Sequence, residues 1–472
     1  MNHHSFVSQS AKSFQAKRRL FWVSSWVTAT LTVLLATTVR SDSPIVPNNV
    51  PFPNPSGFAA TFSTNGSIDL TNEFFQNLGT NGRRCATCHV ITEGWTVTPE
   101  GLQERFEKTD GSDPIFRTND GSNSPSADVS TVAARRSAYN MLLTKGLIRV
   151  GIGIPAGAEF ELVAVDDPYN FASASELSLF RRPLPATNLK FLSTVMWDGR
   201  ETFVGQTIHF DLSDQANSAT VGHAQGAPLS DQQREDIVDF ETALFTAQVF
   251  DDSAKSLIAA GANGGPVNLS NQDFYVGIND LFGDSRTHEP FNPIVFSIYD
   301  AWKGLPGGGT NEARAAVARG QELFNTKVIR ISGVSGINDE KAFGNPTVVN
   351  GTCTTCHDTP NAGDHSVAAP LNIGIADAAR RTPDMPLYTL QNNKTKATVQ
   401  TTDPGRALIT GLWKDIGRFK GPILRGLAAR APYFHNGSAK GLEAVVNFYD
   451  QRFGIGFTEQ EQEDLVAFLR TL

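Results

Sequence analysis

Two short runs, Cys85-Ala-Thr-Cys88-His89 and Cys353-Thr-Thr-Cys356-His357, contain all four cysteines of the 472-residue chain. No cysteine is left for a disulfide framework, so the small secreted disulfide scaffold is excluded. At 51.0 kDa the chain exceeds one modest core, and two or three domains are expected. With 40% hydrophobic and 19% charged residues, it is neither broadly disordered nor a multi-span membrane protein. The net charge of −8 argues against nucleic acid as a partner.

Two thiols three positions apart, followed at once by an imidazole, suit one chemistry well. The thiols lie on one side of a single turn, where they can add to the two vinyl groups on a haem edge. The next residue then places its imidazole under the iron. A zinc knuckle would need further ligands at knuckle spacing, and a redox dithiol needs no adjacent histidine. The repeated motif therefore predicts two covalent c-type haems. They are held by Cys85, Cys88, Cys353 and Cys356, with His89 and His357 as proximal iron ligands.

The N-terminus predicts export. Lys17, Arg18 and Arg19 precede Leu20–Val39, an uncharged and mostly apolar run, followed by the small residue Ser41. Residues 1–41 read as an export signal that is cleaved, placing the protein in the periplasm. Retained, the same run is long enough to anchor the chain in a membrane. The segment carries five basic residues and no acidic one, so its removal takes the net charge from −8 to −13.

Residues 42–65 are proline-rich, with five prolines in Ser43–Gly57, and read as an extended linker. A helical stretch around Leu70–Leu78 leads into the first motif. Gly304–Thr310 is the strongest internal linker signal, and a helical pattern over Glu312–Phe324 leads into the second motif. Leu229–Leu244 (LSDQQREDIVDFETAL) and Phe457–Leu472 (FTEQEQEDLVAFLRTL) agree at six of sixteen positions without gaps, each C-terminal to one motif. Both read as helices with a Ser or Thr N-cap and an acidic first turn. The expectation is a mainly α chain of two haem domains, 66–302 and 311–472, joined by 303–310, with no run of strands forming a sheet.

The distal side of each haem then decides function. Two strong protein ligands make an electron carrier, whereas an open position permits chemistry on peroxide or oxygen. No histidine occurs between His89 and His209, and Met141 and Met196 lie in apolar contexts that suit core packing. The first haem is therefore expected to be open. For the second, Met385 is one candidate ligand and Tyr449 another, since Leu442, Val445, Val446 and Tyr449 share a helix face.

Val195-Met-Trp-Asp-Gly-Arg200, Thr402-Asp-Pro-Gly-Arg-Ala407 and Ala431-Pro-Tyr-Phe-His-Asn-Gly-Ser438, with the two cysteine motifs, resemble the bacterial dihaem cytochrome c peroxidases and the MauG-type enzymes. The resemblance covers about residue 66 to the C-terminus. It implies two packed cytochrome c-like domains, an N-terminal peroxidatic haem, and a C-terminal haem that relays electrons from a small cytochrome c or a blue copper protein (cupredoxin). It places the relay ligand at Tyr449, fourteen residues after His435, where peroxidases have methionine and the MauG-type branch has tyrosine. It assigns inter-haem transfer to Trp197 and donation to hydrogen peroxide to Gln215. The family's distal glutamate has no clear counterpart, and His223 is the nearest acid–base group, with an iron ligand or a surface residue as its other readings. His435 is expected to hydrogen-bond near a haem. Asn123 and the carbonyls of Arg430 and Pro432 match the family's calcium set. Four readings remain: a peroxidase, a MauG-like oxidase of a protein or organic substrate, a non-enzymatic electron carrier, and a pair of zinc-bearing binding modules, which the absence of a Soret band would select. Oligomeric state is left open.

Overall fold

The computed structural model describes residues 43–472, and the segment read as an export signal lies outside them. Among the described residues no helix is long and apolar enough to cross a membrane. Residues Pro44–Leu472 form one compact unit.

Among the described residues ten α-helices follow in order: α1 (Pro99–Thr109), α2 (Val132–Ala138), α3 (Asn140–Lys145), α4 (Ile208–Gly222), α5 (Asp231–Thr242), α6 (Gly265–Ser270), α7 (Thr310–Thr326), α8 (Ala407–Thr410), α9 (Leu442–Phe453) and α10 (Glu459–Arg470). The two repeat segments are α5 and α10. Each starts with a reciprocal capping box, Ser230 with Gln233 and Thr458 with Glu461, as the polar residues at those positions require.

The repeat extends to packing. Phe240 and Phe468 are equivalent positions, and each meets a phenylalanine that in turn touches a motif histidine. Phe240 lies 5.3 Å from Phe74, which lies 6.1 Å from His89. Phe468 lies 5.8 Å from Phe324, which lies 5.9 Å from His357. Two aromatic cores of one design thus sit behind the two histidines, and such rings supply much of a core's buried apolar area.

The crossing of α7 and α10 depends on one small residue. A Cβ on Gly320 would lie 1.9 Å from the Asp464 carbonyl oxygen and 2.7 Å from the Phe468 Cβ. Gly320→Ala is therefore expected to destabilise the C-terminal half by at least about 1–3 kcal/mol, the usual cost of overpacking. Thermal unfolding checks this, and an unchanged midpoint would contradict the close crossing.

The expectation of no sheet is wrong: strands make up 17% of the structure beside 31% helix. Residues 42–65, expected as a linker, instead carry strands Ile45–Pro47, Pro51–Asn54 and Gly57–Ser63. The last pairs antiparallel with Leu244–Asp251, matching Ala60 to Ala247 and Phe62 to Phe245. Phe52, between Pro51 and Pro53, and Ala59 and Ala60, after the last proline, are buried there, so the apolar residues decide the conformation. Phe160–Asp166, Leu387–Asn392 and Thr398–Thr401 form a three-stranded sheet, and Ile148–Ile152 pairs with Leu177–Arg181. The helical stretch expected around Leu70–Leu78 shortens to one 3-10 turn, Glu73–Phe75, capped by the Asn72 side chain.

Candidate functional site

Each cysteine motif folds as a 3-10 turn, Cys85–Thr87 and Cys353–Thr355, and the histidine N–H donates back to the first cysteine's carbonyl. Each places both cysteines and its histidine on the wall of one cavity of about 190 Å³. His89 Nδ1 donates to the Trp95 carbonyl at 3.0 Å, and His357 Nδ1 donates to the Gly363 carbonyl at 2.6 Å. A carbonyl can only accept, so both rings carry their proton on Nδ1 and keep the Nε2 lone pair for a metal. Burial pulls His89 down to about 4 against the Trp95 carbonyl, and it likewise lowers His357. Both imidazoles are therefore neutral, as ligation requires.

The strand misread as a linker supports this geometry. Trp95 sits in the left-handed region at φ 62°, and its indole N–H donates to Thr61 Oγ1 at 2.9 Å. Thr61 in turn bonds Thr246 Oγ1 across the sheet at 2.8 Å. The N-terminal strand thereby fixes the carbonyl that orients His89.

Burial raises all four thiols, Cys88 to about 11 and Cys353 and Cys356 to about 12, with Cys85 raised further. Neutral thiols on an apolar wall make poor redox dithiols, which act through the thiolate, and are placed to form thioethers. His435, on the second cavity, is 1% exposed; neither ring nitrogen makes a hydrogen bond among the described residues, and Nε2 lies 3.8 Å from Asp403 Oδ2. That orphaned ring, the paired thiols and the oriented imidazoles fit a haem in each cavity.

Trp197 lines both cavities, together with Lys420 and Pro422. Its indole N–H donates to the Arg182 carbonyl at 2.8 Å, and its own carbonyl accepts the Lys420 N–H at 2.9 Å. Trp197 stands edge-on to His435 at 6.2 Å, and His435 stacks on Phe419 at 3.9 Å. The motif residues around it lock this position. Arg181 pairs with Asp198 at 2.5 Å and with Asp403 at 2.7 Å, all three buried. Arg406 donates to the carbonyls of Asp198 and Gly199. The Trp-Asp-Gly-Arg and Thr-Asp-Pro-Gly-Arg motifs are thus one latch beneath Trp197.

Gln215 and His223 both come from α4, at its inner face and its C-cap, and both line the first cavity. His223 Nδ1 donates to Asp120 Oδ2 at 2.5 Å, and Asp120 also pairs with buried Arg83. Burial works to raise the Asp120 carboxyl, but His223 and Arg83 outweigh it and hold the group below its ordinary value. Asp120 and Arg83 carry no sequence signal for this role, since they meet His223 across more than a hundred positions of chain. Met141 is core, as expected, but Met196 lines the first cavity while packing against the Leu192, Val195 and Leu212 cluster.

On the second cavity, Leu442, Val445, Val446 and Tyr449 of α9 all face inward. The Tyr449 hydroxyl makes no hydrogen bond among the described residues, and burial beside Cys356 and Cys353 raises its pKa. Met385 lies elsewhere, in a cluster with Met141, Leu147 and Phe180, and lines neither cavity. Its turn, where Met385 N–H donates to the Thr382 carbonyl, directs it into that core.

The calcium set does not fit a cation. The Asn123 amide is used by backbone, donating to the Ser137 carbonyl and accepting from the Met141 N–H. The Arg430 carbonyl accepts from the Arg182 guanidinium at 3.2 Å, which also reaches the Ala431 carbonyl next to Pro432. A guanidinium already supplies positive charge to these carbonyls.

The paired cavities define a two-site protein, each site carrying one Cys-x-x-Cys-His run. No family model matches the chain. Among curated proteins it is 31% identical over 221 residues to the cytochrome-c peroxidase IdrP1 of Pseudomonas sp. (strain SCT), covering 40% of this chain and 57% of that protein. It is 33% identical over 140 residues to IdrP1 of Denitromonas iodatirespirans, covering 25% of this chain and 36% of that protein. The matches thus span between about a third and little more than half the length of these curated relatives. By these matches it is similar to proteins named cytochrome-c peroxidases. Among solved structures, a MauG-like protein associated with microbial copper homeostasis superposes with a TM-score of 0.38 and 17% identity, over 92% of this chain and 94% of that one. At that score the likeness bears no weight.

Proposed function

We propose that this chain is an exported dihaem c-type peroxidase, with hydrogen peroxide received in the His89 cavity and electrons relayed through the His357 cavity. The observation that carries the reading is Trp197, one side chain on the wall of two cavities that each hold a Cys-x-x-Cys-His motif with its imidazole oriented by a carbonyl. Bound haem would supply a redox-active iron that can exchange electrons with peroxide. Cys85, Cys88, Cys353 and Cys356 would hold the two groups covalently. His89 and His357 would present Nε2 to the irons while Trp95 and Gly363 fix the ring planes.

Gln215 offers an amide donor to a peroxide oxygen. His223, with its proton fixed on Nδ1 by Asp120, offers an Nε2 lone pair that can take a proton from one oxygen and return it to the other. Leu189, Leu192 and Leu212 make part of the wall aliphatic, and a pocket drained of water by bound haem would strengthen each of these contacts. Trp197, anchored at its indole N–H and its carbonyl, holds one conductive ring between the centres. The electron donor is proposed to be a small cytochrome c or a cupredoxin.

Tyr449 favours a second reading, a MauG-like oxidase of a protein or organic substrate. Were Tyr449 to hold the second iron together with His357, its phenolate would stabilise ferric iron and lower the potential of the relay centre. Ferric EPR of the holoprotein, with and without peroxide, tests both readings. A high-spin signal that disappears on adding peroxide is expected for an open first centre. Two low-spin centres indifferent to peroxide would instead make the protein an electron carrier. Tyr449→Phe is expected to shift only the low-spin signal, and an unchanged spectrum would remove Tyr449 as the ligand.

A further inference from the structure

The two repeat helices present equivalent positions to their cavities: Ile237 and Glu241 on α5, Leu465 and Leu469 on α10. Three of these are aliphatic, as a wall against a flat apolar group requires. The fourth is a carboxylic acid. Glu241 is 6% exposed and its carboxyl has no hydrogen-bond or ion-pair partner among the described residues. Leu469 shows that this position in the repeat needs no polar group to fold. An unpartnered buried carboxyl costs stability, so its presence on a cavity wall points to use.

The surrounding charges are engaged elsewhere. On α4, Asp211 accepts from the Phe203 N–H, Asp214 faces Glu201, and His223 bonds Asp120. Arg83 pairs with Asp120, Arg84 donates to the Phe75 carbonyl, and Lys190 donates to the carbonyls of Ser270 and Gln272. Glu73 lies in the 3-10 turn packed against α5. The thiol of Cys85 is the titratable group that senses Glu241, whose charge raises it further.

We propose that Glu241 is a redox-linked proton site of the first cavity: it takes one proton from solvent when the haem held there gains one electron, and releases it when that electron leaves. This inference rests on the haem reading above. One electron arrives from a one-electron donor and one proton from water. The only bond formed is the carboxyl O–H, and the net charge of the cavity is unchanged. The cause is electrostatic. The added electron cancels positive charge that supports a carboxylate in a poorly screened site, so the protonated form gains. Burial pushes the Glu241 carboxyl up to about 8, so the exchange falls near neutral pH.

Because reduction carries a proton with it, raising the pH opposes reduction. The equilibrium is expected to move by up to tenfold per pH unit, about 59 mV for a one-electron couple. Spectroelectrochemical titration of the holoprotein, from mildly acid to mildly alkaline pH, reads this slope for each haem. In the wild type the first haem's potential is expected to fall with pH. In Glu241→Leu, which copies the other repeat, and in the near-isosteric Glu241→Gln, most of that slope is expected to vanish while the second haem's slope is unchanged. A slope retained in both variants would overturn the inference and leave the haem reading standing. Should the leucine variant fail to fold, the glutamine variant decides, together with the wild-type infrared redox difference spectrum. A protonated-carboxyl band gained on reduction and absent from Glu241→Gln supports the proposal; no such band in the wild type overturns it. A purified protein without Soret absorption would overturn both readings together.

Discussion

Trp197→Phe is expected to lower peroxide turnover on the order of 100-fold, about 2.7 kcal/mol at 1.36 kcal/mol per decade, while both haems stay attached. The indole ring faces both cavities; its N–H donates to the Arg182 carbonyl, and the Lys420 N–H holds the Trp197 backbone carbonyl from which the ring projects. Phenylalanine keeps an aromatic ring but loses the donor, leaving a buried carbonyl without its partner and the ring free to settle elsewhere. Rapid-mixing spectroscopy separates the steps. Reduction of the second haem by an artificial donor, and the first haem's initial reaction with peroxide, are both expected to keep wild-type rates. The transfer between them should slow. Wild-type turnover in this variant would show that electrons pass by another route, with Lys420 and Pro422 as the remaining shared wall.

The same residues show which parts of this molecule local sequence could reveal. The cysteine motifs, the caps of α5 and α10, and the inward face of α9 rest on interactions within one or two turns, so spacing alone finds them. Trp197 was found through its motif, although the reason for the motif, Asp198 and Asp403 gripping Arg181, needs contacts spanning 17 and 222 positions. The strand Gly57–Ser63 is hidden in the sequence because the prolines before it mask a short apolar run, and its partner strand comes nearly two hundred residues later. Met385 is a plausible thioether in isolation, and only packing shows it committed to the Met141 cluster. Glu241 reads in sequence as an ordinary helix glutamate. Its meaning appears when the equivalent position in the other repeat is seen to be a leucine on the matching wall.

His223→Ala is expected to slow the reaction with peroxide by roughly 100- to 10,000-fold, the range for a positioned acid–base group, while leaving electron transfer between the centres intact. Asp120→Asn should produce much of the same loss by a different route. In the wild type, one Asp120 oxygen accepts from Arg83 and the other from His223 Nδ1. An asparagine amide has one donor end, and that end cannot face the guanidinium. It must therefore face His223, which moves the imidazole proton to Nε2 and removes the lone pair that would receive the peroxide proton. Because His223 and Arg83 hold the Asp120 carboxyl below its ordinary value of 3.8, the carboxylate's support is complete above that pH and is lost only as pH falls further. Activity lost between neutral and mildly acid pH is then not due to Asp120. Single-turnover rates against pH for the wild type, Asp120→Asn and Asp120→Glu check the assignment. Glutamate restores two acceptor oxygens and should recover part of the rate, whereas equal loss in both variants would mean that Asp120 serves the fold through Arg83 and not the chemistry of His223.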